Sequence, residues 1–176
     1  MSRHGQIDSK KMNFKLFDCF FSQPFSVFNL FKTVNMDVVD QFIGTWHVVK
    51  WTATSAAGDV FYPFGEGALG QILYDANGHV LVEIMKKERK LFASNDFMQG
   101  SVEEILDAYN GFVAYCGTYT IDVAAKKVIH HIHISSFPNW VGQDQVRYYD
   151  FQEGLLTLRA LAIGTTQHKL LWRKAP

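Results

Sequence analysis

The sequence predicts an all-β domain, namely an eight-stranded antiparallel up-and-down β-barrel with one helix inserted between the third and fourth strands. From residue 44 onward, short runs rich in β-branched and aromatic residues alternate with turn-forming residues. Eight such runs in sequence form either a sandwich or a barrel. We favour the barrel, because closure removes exposed strand edges. Eight strands also leave a bore that is filled by side chains or holds one small ligand.

Composition limits the classes of function. The chain has 176 residues, 48% of them hydrophobic, which suffices for one domain with a core. Basic and acidic residues number 17 each, so no bulk positive charge favours nucleic acid, and we predict no nucleic-acid partner. Cys19 and Cys116 are too few for a disulfide scaffold and have no zinc-binding spacing, so we expect a reducing compartment, the cytoplasm. No phosphate-binding or nucleophile motif is present, and we predict no cofactor.

The N-terminal segment differs from the rest, and we divide the chain into an extension, residues 1–35, and a barrel domain, residues 36–176. The extension carries a net charge of +3 and seven of the fifteen phenylalanines, six of them spaced by three or four residues. One interpretation is that translation begins at Met36 or that the segment is a loose appendage. A second is a basic, Phe-faced helix that contacts a membrane surface or a protein, although Pro24 would kink or end it. The third is a secretory signal, which Asp18 and the lack of a small-residue cleavage site disfavour.

Local sequence justifies the strands one by one. The first, residues 45–53, is rich in β-branched and aromatic residues. The second and third, 69–74 and 79–85, flank the pair Asn77-Gly78, which suits a hairpin turn. Short links join most of the others. The remaining predicted strands are residues 115–121, 128–135, 145–151, 155–161 and 167–173.

One segment has helical rather than strand periodicity. Ser101 and Glu104 form a capping box, which predicts a helix over residues 101–112. An irregular, charged loop is expected before it, at 86–100, and a short helix at 37–43. The apolar stripe of the main helix consists of Val102, Ile105, Leu106, Tyr109 and Val113.

Six segments make the pattern more specific. They are residues 42–46 (FIGTW), 60–65 (VFYPFG), 111–119 (GFVAYCGTY), 130–131 (HH), 136–142 (SFPNWVG) and 145–147 (QVR). Together they resemble the lipocalin-like domain proteins of bacteria and fungi, over residues 40–174. The resemblance implies an eight-stranded barrel that holds a small apolar ligand, with Trp46 of the Gly-x-Trp pattern at its base. It implies no particular reaction.

Histidines on the strand 128–135 are the first candidates for a site. Alternation puts His131 and His133 on one face and His130 on the other. The pair either forms structural hydrogen bonds or faces water, or lines the cavity, where it contacts ligand or moves a proton. A metal site is the third interpretation. Neither a following glutamate nor a second histidine motif supports it, so no metal is predicted.

Arg147 and several large aromatic residues complete the candidate site. An inward Arg147 could clamp a ligand carboxylate or enolate, whereas an outward one is an ordinary surface cation. Tyr115 and Tyr119 share a strand face with Gly117 between them, which leaves room for a ligand or for a neighbouring side chain. Trp140 lies in a loop expected at the barrel mouth, as a lid or a plug. The predicted ligand-binding residues are Tyr115, Tyr119, His131, His133, Arg147, Tyr149 and Trp140.

Two functions follow from this set. The first is binding of a small hydrophobic ligand inside the barrel. The alternative is an enzyme of secondary or lipid metabolism, of the cyclase, isomerase or dehydratase type, with His131, His133 and Arg147 as the candidate catalytic residues. A filled barrel that acts through the Phe-rich extension is a third option. The fold does not decide among them, so we leave open whether the protein is an enzyme.

Overall fold

The computed structural model describes residues 38–176, apart from the side chains of residues 162 and 163. The predicted extension, residues 1–35, and its three interpretations lie outside this range, as does Cys19. Residues 38–42 are helical, where a short helix was expected. No helix within residues 38–176 has the length and apolarity needed to cross a bilayer.

Nine antiparallel strands form one closed sheet. β1 pairs with both β2 and β3, each strand from β3 to β8 pairs with the next, and β9 returns to pair with β1. This closure gives the predicted eight-stranded barrel, with β2 as a short extra strand. The strands are β1 (Gly44–Thr54), β2 (Val60–Phe61), β3 (Leu69–Tyr74), β4 (His79–Met85), β5 (Phe112–Asp122), β6 (Lys127–Ser135), β7 (Asp144–Gln152), β8 (Leu155–Ile163) and β9 (Thr166–Lys174).

The predicted position of the helix between the third and fourth strands is wrong. Helix α1 (Val102–Asn110) follows β4 and therefore lies between the fourth and fifth strands. The difference comes from β2, which pairs through two residues with the end of β1 and is too short to show an alternating pattern. The capping box of Ser101 and Glu104 is present. The helix ends earlier than predicted, because Gly111 caps it through a hydrogen bond to the Asp107 carbonyl.

Aromatic side chains close one end of the barrel. Phe42 is fully buried, and its ring meets those of Tyr74, Tyr149 and Phe151 edge-on, at centroid distances of 5.0–5.2 Å. Trp46 is also buried, and its indole Nε1 donates a hydrogen bond to the Phe42 carbonyl oxygen at 2.8 Å. The expected place of Trp46 at the base of the barrel is confirmed. The polar atom of this large side chain is satisfied.

Candidate ligand-binding site

A small cavity lies inside the barrel, away from the closed end. Its volume is about 50 Å³, and β1, β3, β4, β5, β7, β8 and β9 contribute to its wall. Most of the lining is aliphatic or aromatic, because inward residues alternate along each strand. One water needs roughly 10–15 Å³ of cavity volume, so this cavity has room for a few waters. A ligand the size of an aromatic ring therefore requires side chains at the rim to move, and Trp51 and Trp140 are only half-buried there.

A larger depression, of about 420 Å³, lies on the outer surface. Outward-facing residues such as Leu69, Met85 and Phe112 line it. Two of its polar side chains are paired with each other, since Gln71 Nε2 donates to Glu83 Oε1 at 2.7 Å. The interior cavity is the better candidate, because it contains a buried charge.

That charge is the guanidinium of Arg147, which alternation along β7 turns inward. The side chain is 7% exposed. Its Nη1 donates to the Val146 carbonyl at 3.0 Å, and both terminal nitrogens make long contacts of 3.4 Å with Gln145 Oε1. None of the ion pairs within residues 38–176 includes Arg147. A buried cation without a counter-ion is costly, so this arrangement favours an external anion or a strongly polar oxygen.

A hydrogen-bonded chain of two tyrosines and one histidine lies beside Arg147. His130 is fully buried, with Nδ1 2.9 Å from the Tyr115 hydroxyl and Nε2 2.8 Å from the Tyr74 hydroxyl. Burial and the nearby charge of Arg147 hold the pKa of His130 well below its usual value, so the ring is neutral. A neutral imidazole donates from one nitrogen and accepts at the other. The chain can therefore relay a proton between the two phenols.

The same environment keeps both phenols protonated. Burial raises the pKa of Tyr74 and of Tyr115. Arg147 partly offsets this for Tyr115 through its nearby positive charge. Since Tyr115 lines the cavity and His130 lies behind it, the phenol is the member of the chain that meets a ligand.

Three further N–H groups belong to residues of the cavity wall, namely Trp51, His168 and Trp172. Trp51 Nε1 donates to His168 Nδ1 at 3.0 Å, which leaves the proton of neutral His168 on Nε2. Burial and the Arg147 charge lower the pKa of His168 and favour that neutral form. Trp172 is 1% exposed, and its Nε1 is the one buried side-chain nitrogen or oxygen within the described residues that has no partner. The wall is thus rich in donors and lacks a carboxylate.

Comparison with known proteins agrees with the barrel fold. The family model described as a lipocalin-like domain matches residues 43–175. The chain belongs to the lipocalin-like domain family. A curated relative is the 4'-hydroxy-3'-methoxypropiophenone carrier protein of Aspergillus oryzae, which is 30% identical over 105 residues, covering 53% of this chain and 95% of that protein.

Solved structures similar to this lipocalin-like domain include a redesigned β-barrel, with 10% identity and a TM-score of 0.42, covering 78% of this chain and 95% of that one. A variant of the fluorescent protein UnaG has 12% identity and a TM-score of 0.35, covering 78% and 98% of the two chains. Scores this low add nothing to the description of the barrel.

The structure brings some of the predicted site residues of this lipocalin-like domain together. Tyr115, Arg147 and Trp140 line the cavity. Tyr119 and Tyr149 also point inward, but they lie towards the closed end. The Tyr119 hydroxyl donates to the Asp75 carbonyl at 2.9 Å, and Tyr149 packs against Phe42.

Of the interpretations left open for His131 and His133, the structure agrees with hydrogen bonds or exposure to water, so their prediction as ligand-binding residues beside Arg147 is wrong. Both histidines lie on the outer face of β6, where His133 is exposed. His131 Nδ1 lies 2.6 Å from Asp144 Oδ1, and its Nε2 lies 3.1 Å from Thr120 Oγ1. Alternation grouped the histidines correctly, but the inner face of β6 is the one that His130 shares with buried Val128 and Ile132. This apolar company was the signal in the sequence that identifies the inner histidine.

The space beside Gly117 is taken by backbone. A Cβ atom on Gly117 would collide with the main-chain carbonyl of His131 in β6, at a point where the pairing of β5 and β6 shifts register. Both expectations for this glycine, room for a ligand or for a neighbouring side chain, are therefore wrong. The glycine permits the two strands to approach closely.

Tyr74, Trp51, His168 and Trp172 were not among the predicted site residues. His168, Leu170 and Trp172 stand at every second position along β9, and Leu170 and Trp172 are buried. This pattern marks the inner face of the strand. That pattern could have identified the pair, although not the missing partner of the Trp172 indole. Within residues 38–176, no three potential metal-ligating side chains gather at one point.

Proposed function

We propose that this lipocalin-like domain binds one small aromatic molecule inside its barrel and carries it. The observation that supports this most is a buried Arg147 without a counter-ion, in the wall of an otherwise apolar cavity. The Aspergillus oryzae relative is named as a carrier of a phenolic aryl ketone, a molecule with one apolar ring and few oxygens. The ring of such a ligand matches the apolar part of the cavity wall, and its oxygens match the donors of that wall.

The ring of the ligand lies against aliphatic and indole surfaces, and one oxygen accepts hydrogen bonds from the donor-rich side. Ile84, Leu158 and Leu170 supply the apolar contact, and Arg147 supplies a forked donor. Entry requires Trp140 to move. It is half-buried, and its ring packs edge-on to Tyr115 and Phe137, at centroid distances of 5.7 and 5.6 Å. Trp140 thus acts as the lid of the site.

The test is a titration of the full-length protein with 4'-hydroxy-3'-methoxypropiophenone, followed by calorimetry and by tryptophan fluorescence. We expect saturable binding of one molecule per chain. Val113→Trp, which fills the cavity, abolishes it. Val60→Trp, the same change at a residue outside the cavity wall that is 65% exposed, leaves it unchanged. Absence of saturable binding, or binding that Val113→Trp does not weaken, contradicts the proposal.

An enzyme is the second candidate, and the chain of Tyr115, His130 and Tyr74 favours it. A phenol that is linked to a buried histidine can pass a proton, while Arg147 stabilises the negative charge of an enolate. Isomerisation, cyclisation and dehydration of ketones all use such a proton transfer.

Exchange of hydrogen for deuterium at the carbon beside the ketone carbonyl separates the two functions. A carrier leaves exchange in D2O at the rate of the buffer. An enzyme accelerates it, and His130→Gln then removes the acceleration while binding persists. Proton NMR of the propiophenone CH2 signal measures the rate directly.

A further inference from the structure

The polar part of the cavity selects one chemical class among small aromatic molecules. We infer that the ligand is bound as an oxyanion, the ionised form of an acidic aromatic molecule, and that Arg147 and the Trp172 indole hold the charged oxygen. This inference rests on the proposed function and specifies its ligand.

The first argument is charge. Arg147 and His130 are the buried polar or charged residues within the described range, and His130 is neutral. The carboxylates at the closed end, Asp75 and Asp150, remain partly exposed, and each is already paired, with His79 and with Lys126. The interior therefore carries one positive charge that no described side chain compensates.

The residues around Arg147 do not supply the missing negative charge. Its charge acts on Tyr74, Tyr115, His130 and His168. Burial raises the pKa of both tyrosines, so neither ionises near neutral pH. Histidines contribute no anion. The compensating charge must therefore come from outside the described fold.

The second argument is the supply of donors and is independent of the first. Trp172 Nε1 is buried without a partner, in the wall of the same cavity as Arg147. An indole N–H donates and never accepts, so it needs an acceptor. His168 offers a further donor at Nε2, because its Nδ1 already accepts from Trp51. Several donors and no carboxylate are what an oxyanion requires, since hydrogen bonds to an ionised acceptor are the strong ones.

Ultraviolet absorption tests the charge state of the bound ligand directly. Ionisation of a phenol that carries a para-acyl group moves its absorption band to longer wavelength. We expect the pKa of 4'-hydroxy-3'-methoxypropiophenone bound to the full-length protein to fall by about 1–3 units, the effect of an opposite charge close by. The phenolate band then appears at a pH where the free probe is neutral. Arg147→Met abolishes the shift, and Arg147→Lys, which keeps the charge, retains part of it.

Further probes separate the possible sources of the oxyanion. The 3',4'-dimethoxy analogue, which does not ionise, binds at least about tenfold more weakly than the phenol, a difference of one strong charged contact. If 4-methoxybenzoate binds with the same dependence on Arg147, carboxylic acids belong to the class as well. The inference is overturned if the bound phenol stays neutral and 4-methoxybenzoate binds no better than its methyl ester. In that case the phenol still binds and the proposed function stands, whereas failure of every probe to bind refutes the proposed function itself.

Discussion

The two ends of the barrel interior use the same kinds of residue in opposite ways. At the closed end, Phe42 packs edge-on against three aromatic rings, and Trp46 Nε1 has its carbonyl partner. In the cavity, the indole of Trp172 has no partner, and Arg147 has no counter-ion. Both tryptophans are nearly fully buried, so exposure does not distinguish them.

What distinguishes the two ends is whether buried polar groups are satisfied. Native proteins satisfy almost all of them, and each exception calls for an explanation. A domain this small has little stability to spare. An unsatisfied donor and an uncompensated cation in one cavity are therefore best explained by a ligand that supplies the missing partner. The closed end stabilises the fold, and the cavity is the part that we propose binds the ligand.

Loss of the central ring at the closed end should have the largest effect. Phe42→Ala removes a fully buried side chain and leaves a void, so the free energy of unfolding should fall by about 3–5 kcal/mol. Urea denaturation measures it. A loss below about 1 kcal/mol would show that this end is not the stabilising one.

Acid should destabilise the protein through the buried histidine. The pKa of folded His130 lies below that of the unfolded chain, about 6.5, so the unfolded state binds a proton more readily. Stability is fully present above that pH and is lost as the pH falls, by up to about 1.4 kcal/mol per unit. His168 acts in the same direction. Urea denaturation at pH 7.5, 6.0 and 5.0 checks the slope, which His130→Gln should reduce. An unchanged slope in the variant would contradict this assignment.

A matched pair of substitutions isolates the hydrogen-bond difference between the two ends. Trp46→Phe and Trp172→Phe remove the same atoms, but the first also leaves the Phe42 carbonyl without its donor. We expect Trp46→Phe to be less stable than Trp172→Phe by about 1–3 kcal/mol. Equal thermal and urea stabilities would remove the distinction on which the comparison depends.

The smallest effect on stability is expected at Arg147. Arg147→Met replaces an uncompensated buried cation with an apolar side chain, so the free protein should change by less than about 1 kcal/mol or become more stable. Ligand binding should nevertheless be lost. Calorimetric melting with and without the propiophenone measures both effects, and strong destabilisation of the ligand-free protein would show that Arg147 is structural.

Much of the barrel could be predicted because strands and caps leave local patterns. The eight main strands and the capping box of Ser101 follow from residue type and spacing. Strand β2 could not, since two residues show no alternation. In the site, alternation separated His130 from His131, and only the apolar neighbours Val128 and Ile132 mark the face of His130 as the inner one. The unpaired state of Trp172 Nε1 depends on the positions of distant side chains, which no sequence pattern records.

The most direct measurement follows the four indole N–H groups in a ¹⁵N-labelled sample while the propiophenone is added. The chain has four tryptophans, so substitution of each by phenylalanine assigns every signal. We predict that the signals of Trp172, Trp51 and Trp140 in the cavity wall shift, with Trp172 moving downfield as its N–H acquires an acceptor. The signal of Trp46 at the closed end should stay in place. A ligand that shifts Trp46 and leaves Trp172 unchanged would contradict the account.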